Sequence, residues 1–337
     1  MLATETLSLL EKGKNLLAFS GGGDSTALFF LLIDAGIAFD IALVNYHTRP
    51  QSDEEARFAQ ELAERYGRRC FIQDISLAEE NFEHEARTAR YAFFESLIRS
   101  EGYANLLTGH QLDDRLEWLL MQLCKGAGSV ELSGMRSIET RPDYTLVRPL
   151  LASTRTALRE YLSRRNETWF EDASNNDPAH RRNRFRHRFA APMIEAHEDG
   201  IRRSFACLDQ DREALEPDGD VGACGALRWF VTPKTQPMYE RAVDRVLKSL
   251  GYLMRGGERR RLSEEKSAVV GRRYAVARCG PFTLIAPYER AVMEKPFRET
   301  CRQLGIDPKL RPYLWRDREA FEELASLLEG AVDLHGE

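Results

Sequence analysis

Residues 15–32 have the sequence NLLAFSGGGDSTALFFLL, in which a glycine-rich turn joins two apolar segments. The first segment is typical of a buried strand, and the second continues a helix that begins near Asp24. Consecutive glycines let backbone N–H groups turn inward, and the start of the helix adds unpaired N–H groups and the positive end of its dipole. The turn, residues 20–25, is therefore predicted to bind an anion. A tight turn in which Ser and Asp only cap the helix is the alternative interpretation.

Apolar strand patterns alternate with helical patterns over the first half of the chain. Five segments are predicted as strands: 15–19, 41–46, 70–75, 105–109 and 145–150. They are continuous apolar runs, which indicates a sheet covered on both faces. The prediction is therefore an α/β fold, with a parallel, Rossmann-like sheet of about five strands and helices on both faces.

The pattern changes in the second half of the chain. Residues 211–225 are acidic and rich in glycine, which is typical of a linker or an exposed loop. A helical stretch at 239–253 and a hairpin pattern at 274–288 follow. We predict a catalytic domain over 1–195 and a smaller, mainly helical or α+β domain over 196–337.

Bulk composition limits the class of protein. The chain has 337 residues, of which 43% are hydrophobic and 30% charged, as in soluble proteins of two or three domains. No apolar run is long enough for a membrane helix, and the first residues lack the pattern of an export signal. The six cysteines are scattered without a CxxC pair, so we expect reduced thiols, a cytoplasmic location and no structural metal.

Charge argues against a nonspecific nucleic-acid coat but allows local phosphate sites. The net charge is −5, yet 40 of the 48 basic residues are arginine, whose planar fork matches phosphate oxygens. Residues 255–273 carry seven basic and three acidic side chains, a net +4. This segment is predicted either to hold an RNA stem or to form a solvated surface.

A second chemical motif follows the fourth predicted strand: GHQLDDRLEWLLMQLCKGAG, residues 109–128. In a helix that begins near Asp113, that residue, Asp114 and Glu117 share one face, with His110 just before them. Carboxylates and an imidazole at a strand end can hold Mg²⁺ and a cationic amine, and can accept a proton from that amine. Stabilisation of acids by the helix dipole is the alternative, but it explains only Asp113 and Asp114.

Two groups of arginines lie near these motifs. Arg87 and Arg90 are three residues apart on one helix face, where they could also be solvated partners of nearby glutamates. Residues 181–188 contain five arginines after the turn-forming DASNNDP segment. Arginines fixed near an ATP site can neutralise an α-phosphate or an RNA backbone, whereas a solvent-facing basic helix is the alternative.

Five motifs together resemble the tRNA(Ile)-lysidine synthetase family of the N-type ATP pyrophosphatase, or PP-loop, superfamily. They are SGGGDS, the H-x-x-D-D-x-x-E helix, A-R-x-x-R-Y, V-R-P-L-L, and D-x-S-N-x-D followed by R-N-R-x-R. The resemblance covers about residues 14–192 and is to a short form of the family. It implies an ATP-dependent ligase that attaches lysine to the wobble cytidine of tRNA(Ile) with a CAU anticodon. An adenylated cytidine is the implied intermediate, AMP and pyrophosphate are released, and codon reading changes from AUG to AUA.

The resemblance also implies roles for individual positions. The implied ATP-binding residues are Ser20, Gly21, Gly22, Gly23, Asp24, Ser25, Thr26, Arg87 and Arg90. The implied lysine or metal pocket consists of Asp24, Asp113, Asp114 and Glu117. The implied catalytic residues are Asp24, His110, Asp114, Glu117 and Arg182. The implied tRNA contacts are Arg181, Arg184, Arg186 and Arg188, and residues 45–47 are the expected adenine edge.

ATP and Mg²⁺ are the implied cofactors, and free lysine and tRNA(Ile) are the implied partners, with no membrane partner. A homodimer is an assembly that the sequence leaves open. A tRNA thiolase of the same superfamily and an inactive tRNA-binding module are the alternatives. Arg115 and Trp118 stand where the family pattern has Gln and Thr, so both are expected to face away from Asp114 and Glu117.

Overall fold

A computed structural model describes residues 2–48, 51–76, 82–171, 181–215 and 221–333. The chain divides into two compact units, Met1–Asp211 and Arg212–Glu337. Each unit has its own sheet and its own apolar core.

The first unit contains a six-stranded sheet in the order β3-β2-β1-β4-β6-β5. Its strands are β1 Asn15–Ala18, β2 Phe39–Asn45, β3 Cys70–Asp74, β4 Asn105–Leu107, β5 Ile138–Thr140 and β6 Thr145–Val147. The five predicted strands are present and parallel, which confirms the mostly parallel α/β fold. The sixth strand, β5, pairs antiparallel with β6 and was missed, because a three-residue, partly exposed edge strand leaves no apolar run in the sequence.

The helices of this unit lie on both faces of the sheet, as predicted. They are α1 Thr4–Lys12, α2 Gly23–Asp34, α3 Gln51–Arg65, α4 Phe82–Glu101, α5 Leu112–Leu123, α6 Ser129–Ser133, α7 Arg155–Arg164, α8 Arg181–Phe185 and α9 Ala191–Leu215. A π-helical turn, Arg186–Ala190, joins α8 to α9. Successive residues of β1 alternate between two cores: Leu16 packs in the core that contains Phe94 of α4, and Leu17 in the core that contains Phe29 of α2.

Strand order places the two chemical motifs side by side. The chain builds β1, β2 and β3 outward in one direction and then returns to lay β4 against the other side of β1. The order therefore reverses between β1 and β4, which is where open α/β sheets bind their ligands. The glycine-rich turn follows β1, and α5 follows β4, so both lie at this reversal.

The second unit is α+β and contains a five-stranded antiparallel sheet in the order β7-β8-β11-β10-β9. Its strands are β7 Gly222–Cys224, β8 Leu227–Val231, β9 Ser267–Val270, β10 Tyr274–Cys279 and β11 Phe282–Pro287. Its helices are α10 Gln236–Ser249, α11 Gly256–Glu264, α12 Lys295–Gln303, α13 Arg311–Arg316 and α14 Arg318–Asp333. The hairpin predicted at 274–288 is confirmed as β10 and β11.

Most of the described residues of the suggested linker 211–225 belong to regular elements. The first five residues of the suggested linker 211–225 complete α9, and Gly222–Cys224 form β7. The acidic residues near the end of α9 led to the prediction of a loop. Acidic residues are nevertheless tolerated on the solvent-facing surface of a helix.

Candidate active site

Hydroxyl groups hold the glycine-rich turn in a defined shape. The Ser25 hydroxyl donates to the carbonyl of Gly22 at 2.9 Å and accepts from the backbone N–H of Ser20 at 3.2 Å. Thr26 donates to the carbonyl of Gly21 at 3.3 Å, and Gly21 has a φ of +72°, which favours glycine. Gly22 is the N-cap of α2 and supplies no side-chain cap. The first turn of α2 therefore has no side-chain cap, an arrangement that allows its N–H groups to bind an anion.

Gly109 brings the acidic helix against this turn. A Cβ atom placed on Gly109 would lie 3.1 Å from the backbone nitrogen of Ser25 and 3.2 Å from the carbonyl carbon of Asp24. Such distances are tighter than ordinary van der Waals contact, and backbone atoms cannot rotate away. Only glycine lets the segment after β4 approach this closely, and α5 begins three residues later.

Asp24 and Asp114 face each other across this contact. Burial raises the pKa of Asp24, and the negative charge of Asp114 raises it further against the opposing effect of Arg159. Burial alone would also raise the pKa of Asp114, but Arg182, His110 and Arg155 outweigh burial and lower it. The two carboxylates thus form an electrostatically coupled pair between the turn and α5.

Three arginines surround the acids of α5. Arg182 donates from Nη2 to Asp114 at 2.6 Å and from Nε to Glu117 at 2.8 Å. Arg186 donates from Nε to the other oxygen of Glu117 at 2.6 Å, and Nη2 of Arg155 lies 3.8 Å from both carboxylates. Glu117 is 0% exposed, so its charge is balanced entirely by protein groups of this cluster.

Asp113 and His110 were predicted to complete the pocket, but their hydrogen bonds go to other groups. Asp113 accepts the backbone N–H of Arg155 at 3.0 Å and so supports the first turn of α7. His110 contacts the hydroxyl of Thr108 through Nδ1 at 2.9 Å. Burial lowers the pKa of His110 to about 4, so its imidazole is neutral at pH 7. Of the four acids predicted to share a pocket, Asp24, Asp114 and Glu117 come together, whereas Asp113 is engaged with α7.

Arg87 and Arg90 lie on the exposed surface of α4 at the next strand end. Arg90 donates from Nε to the hydroxyl of Tyr46 at 3.2 Å, which places it at the expected adenine edge. The guanidinium of Arg87 lies 4.9 Å from the ring centroid of Tyr91. Its charge also contributes to the lowered pKa of His110, so Arg87 is within electrostatic reach of the acidic cluster.

The arginines predicted to contact tRNA divide into two groups. Arg184 and Arg188 are exposed. Arg186 instead belongs to the acidic cluster through its bonds to Glu117. The side chain of Arg181 and the D-x-S-N-x-D segment, 172–177, lie outside the described residues.

Arg115 and Trp118 contact groups other than the acidic cluster. Arg115 donates to the carbonyl of Ser133 at 3.0 and 3.1 Å and forms an ion pair with Asp209. Trp118 is 42% exposed and donates to the carbonyl of Glu131 at 3.4 Å. Their unusual residue types therefore leave the acidic face of α5 unchanged.

Sequence reasoning missed Arg155 and Arg159. Both lie on α7, four residues apart and hence on one helix face, and that face meets Asp24, Asp114 and Glu117. The spacing was visible, but arginines are so frequent in this chain that spacing alone did not separate these two from surface residues.

Residues 2–192 match the family model of the PP-loop domain. A tRNA(Ile)-lysidine synthase of Wolinella succinogenes is 46% identical over 90% of this chain and 93% of its own. This chain belongs to the tRNA(Ile)-lysidine synthase family. Members from Campylobacter jejuni and Helicobacter pylori are 38% and 37% identical, over 93% and 92% of this chain and 96% and 92% of their own.

Membership of the tRNA(Ile)-lysidine synthase family confirms the resemblance found in the sequence. The PP-loop domain of this chain, residues 2–192, binds ATP. Among solved structures, U34-tRNA thiolase NcsA of Methanococcus maripaludis has a TM-score of 0.51 at 16% identity, over 67% of this chain and 80% of that chain. At that identity the likeness shows the fold alone. Among the described residues, every helix is too short or too polar to cross a bilayer.

Proposed function

We propose that this chain is the ATP-dependent ligase that joins lysine to the wobble cytidine of tRNA(Ile) bearing a CAU anticodon. AMP and pyrophosphate are released, and the modified tRNA reads AUA instead of AUG. The observation that carries the proposal is the contact of Gly109 with the glycine-rich turn, which joins an anion site to a carboxylate–arginine cluster. The relatives named above, at 37–46% identity, are lysidine synthases, which supports the same conclusion.

The first step is adenylation of the base. The cytidine O2 atom attacks the α-phosphorus of ATP, and the bond between that phosphorus and the bridging oxygen of pyrophosphate breaks. Backbone N–H groups at the start of α2 are proposed to bind the pyrophosphate, and Arg182 to neutralise charge on the α-phosphate. Arg90, which donates to the hydroxyl of Tyr46, is proposed to contact the nucleotide as well.

Magnesium fits this site as a partner of ATP. Within the described residues, no group of three or more His, Cys, Asp or Glu side chains is arranged to hold a metal ion. Mg²⁺ usually takes only one or two carboxylates and completes its shell with water and phosphate, and the coupled pair Asp24 and Asp114 provides two. When bound there, Mg²⁺ would stabilise negative charge on the phosphates as a Lewis acid.

The second step transfers the base to the amine. The lysine ε-nitrogen attacks C2 of the adenylated cytidine, the C2–O2 bond breaks with AMP as the leaving group, and the amine loses a proton. A carboxylate of the cluster accepts that proton.

Arg182 and a lysine amine compete for the same oxygens. Arg182 holds Asp114 and Glu117 at 2.6 and 2.8 Å, where the amine is proposed to bind. Movement of Arg182 toward the α-phosphate or the adenylated base would release these oxygens. The amine pocket is thus proposed to open only after the nucleotide and RNA are in place.

The second unit is proposed to bind the body of the tRNA through its basic segment, 255–273. Six of the seven basic side chains there are exposed: Arg255, Arg260, Arg261, Lys266, Arg272 and Arg273. The N–H of Gly271 donates to Glu258 of α11 at 2.7 Å, which holds the β9–β10 turn beside the start of that helix. A homodimer and a cytoplasmic location stay predictions, to be checked by molar mass in solution and by fractionation.

Labelled lysine incorporation tests the proposal directly. The protein is incubated with ATP, Mg²⁺, labelled lysine and a tRNA(Ile) transcript that has a CAU anticodon. We expect label in the RNA together with AMP and pyrophosphate. Sulfur incorporation with a sulfur donor instead of lysine would favour the thiolase, and tRNA binding without AMP release would favour the inactive module.

Asp114→Asn tests the role of the acidic helix. We expect lysine transfer to fall by at least 100-fold while the Kd for tRNA changes less than threefold, because the buried Asp114 is proposed to bind the amine and not the RNA. Asp143→Asn, which alters an exposed partner of Arg99, is the matched control and should leave both quantities unchanged. A comparable loss of tRNA affinity in Asp114→Asn would show that the residue acts in RNA binding.

A further inference from the structure

The side chain of Arg159 lies directly on the glycine-rich turn. A Cβ atom placed on Gly23, the first residue of α2, would lie 2.0 Å from Nη1 of Arg159 and 2.2 Å from its Cζ. The guanidinium therefore occupies the space that glycine leaves at the start of α2. It has been brought there by α7, which packs beside α2.

Arg159 is held in this position by neighbours on several sides. Nη1 donates to Asp24 at 3.0 Å, and Nε donates to Glu171 at 2.9 Å. The same oxygen of Glu171 accepts the indole N–H of Trp169 at 2.6 Å, and the Trp169 ring centroid is 5.6 Å from the guanidinium carbon. The Arg159 side chain is 22% exposed, so it is partly withdrawn from water but still reachable by a ligand.

The turn itself carries no cationic side chain, because residues 20–26 have the sequence SGGGDST. A pyrophosphate group bound there brings several negative charges next to the already negative Asp24. Backbone N–H groups supply only partial positive charge. A permanent cation at the turn would offset this repulsion, and a guanidinium can bind two phosphate oxygens at once.

We propose that Arg159 contacts the β- and γ-phosphates of ATP and then the leaving pyrophosphate. In the free protein, Nη1 of Arg159 donates to Asp24. In the ATP complex, phosphate oxygens replace Asp24 as the acceptor, while Glu171 and Trp169 hold the Arg159 side chain on the turn. This inference rests on the proposed function for the identity of the reaction, but its binding step needs only ATP or pyrophosphate.

Binding of inorganic pyrophosphate to the full chain, measured by calorimetry, tests the contact without lysine or tRNA. We expect Arg159→Gln to weaken pyrophosphate binding at least 10-fold and to raise the KM for ATP in AMP formation by a similar factor. Arg159→Lys should recover part of the affinity, because it restores the charge without the planar fork. The Kd for tRNA should stay within twofold of that of the unaltered protein.

Arg165→Gln is the matched control. Arg165 ends the same helix and pairs with Asp34, at the far end of α2, at 2.6 Å. Its loss perturbs the α2–α7 contact without removing charge from the turn, so pyrophosphate affinity should change less than twofold. Equal weakening in both variants would overturn the proposal, because the effect would then be one of helix packing.

Two further outcomes are informative. If Arg159→Gln lowers kcat but leaves pyrophosphate affinity and the KM for ATP unchanged, Arg159 only positions Asp24, and the phosphate contact is wrong. If the unaltered protein forms no lysidine, yet binds pyrophosphate with the expected dependence on Arg159, the proposed function fails and the phosphate contact stands.

Discussion

At the scale of the residue, Glu117 is the most constrained group in the site. It is 0% exposed and accepts from Arg182 and Arg186 at 2.8 and 2.6 Å. Attraction inside the protein compensates for the lost hydration of these charges only while every partner is present. The stability of the cluster therefore depends on each of its members.

Glu117→Gln removes the negative charge and keeps the shape of the side chain. We expect the free energy of unfolding to fall by about 3 kcal/mol, because the largely buried guanidinium of Arg186 would lose its 2.6 Å ion pair with Glu117. Urea unfolding measures the change. Glu198→Gln, which alters a half-exposed partner of Arg202, is the control, and its effect should stay within about 0.5 kcal/mol. Equal effects of the two substitutions would contradict a buried ionic cluster.

His110 makes stability depend on pH. Burial lowers its pKa to about 4 from the ordinary 6.5. Between these values the unfolded chain binds a proton that the folded chain does not, so the free energy of unfolding falls as the pH falls. The slope from this group is at most about 1.4 kcal/mol for each pH unit.

His110→Gln should remove that contribution. Urea unfolding of both proteins at pH 7, 6 and 5 measures the difference, and effects of other groups largely cancel because both proteins share them. We expect the advantage of the unaltered protein over His110→Gln to shrink by up to about 1.4 kcal/mol from pH 6 to pH 5. A difference that is constant with pH would mean that His110 titrates normally.

Much of the site could be predicted at this scale, but unevenly. The spacing of Asp114 and Glu117 identified their shared face, because helical periodicity is a local property. Arg159 could not be identified in this way, because its proximity to Gly23 depends on how α7 packs against α2. Contacts between distant segments leave no mark in the local sequence pattern.

At the scale of the element, the arginines of residues 181–188 make two kinds of contact. Arg182 and Arg186 are four residues apart and reach the same carboxylate of α5. Arg184 and Arg188, which are also four apart, are exposed. Residues two positions apart lie on opposite sides of a helix, so the division follows from periodicity. The sequence interpretation gave Arg182 a catalytic role and grouped Arg186 with the predicted tRNA contacts, but it did not foresee the bonds of Arg186 to Glu117.

Gly109, which follows β4, lies against the glycine-rich turn, so Gly109→Ala is expected to disturb both. The added methyl group would lie 3.1 Å from the backbone nitrogen of Ser25, so α5 and the turn must move apart by a few tenths of an ångström. We expect a loss of about 1–3 kcal/mol in the free energy of unfolding and at least a threefold rise in the KM for ATP.

Gly200→Ala is the control for this substitution. A Cβ atom on Gly200, within α9, meets no atom within 4 Å, and alanine favours a helix over glycine by about 0.5–1 kcal/mol. Gly200→Ala should therefore stabilise the protein and leave the KM for ATP unchanged. A Gly109→Ala variant with ordinary ATP kinetics would show that the turn tolerates the displacement.

At the scale of the whole molecule, the fold of the first unit could be predicted from its sequence more fully than the fold of the second. The first unit consists of βαβ repeats, in which continuous apolar strand patterns alternate with helical patterns, and its fold was predicted from that alternation. The second unit lacks the alternation and is built on antiparallel pairs such as β8 with β11, some 50 residues away. Its topology depends on such distant pairings, so the sequence indicated only its class and one hairpin.

The basic segment of the second unit includes the tight turn between β9 and β10. Gly271 and Arg272 have φ values of +59° and +56°, and the N–H of Arg273 donates to the carbonyl of Val270 at 3.0 Å, as in a type I′ turn. The turn leaves the Arg272 side chain exposed. Together with the exposed side chains of α11, this turn forms the cationic surface proposed to bind RNA.

The triple variant Arg260→Ala, Arg261→Ala, Arg272→Ala tests that surface. We expect the Kd for tRNA to rise at least 10-fold, and the slope of log affinity against log salt to fall by roughly one for each arginine that contacts a phosphate. Pyrophosphate binding should be unchanged, because its site lies in the first unit. The control is Arg290→Ala, Lys295→Ala, Arg298→Ala, which removes the same charge from exposed positions of the same unit. If both variants weaken binding equally, net charge alone is responsible, and the surface around α11 has no special part in holding the tRNA.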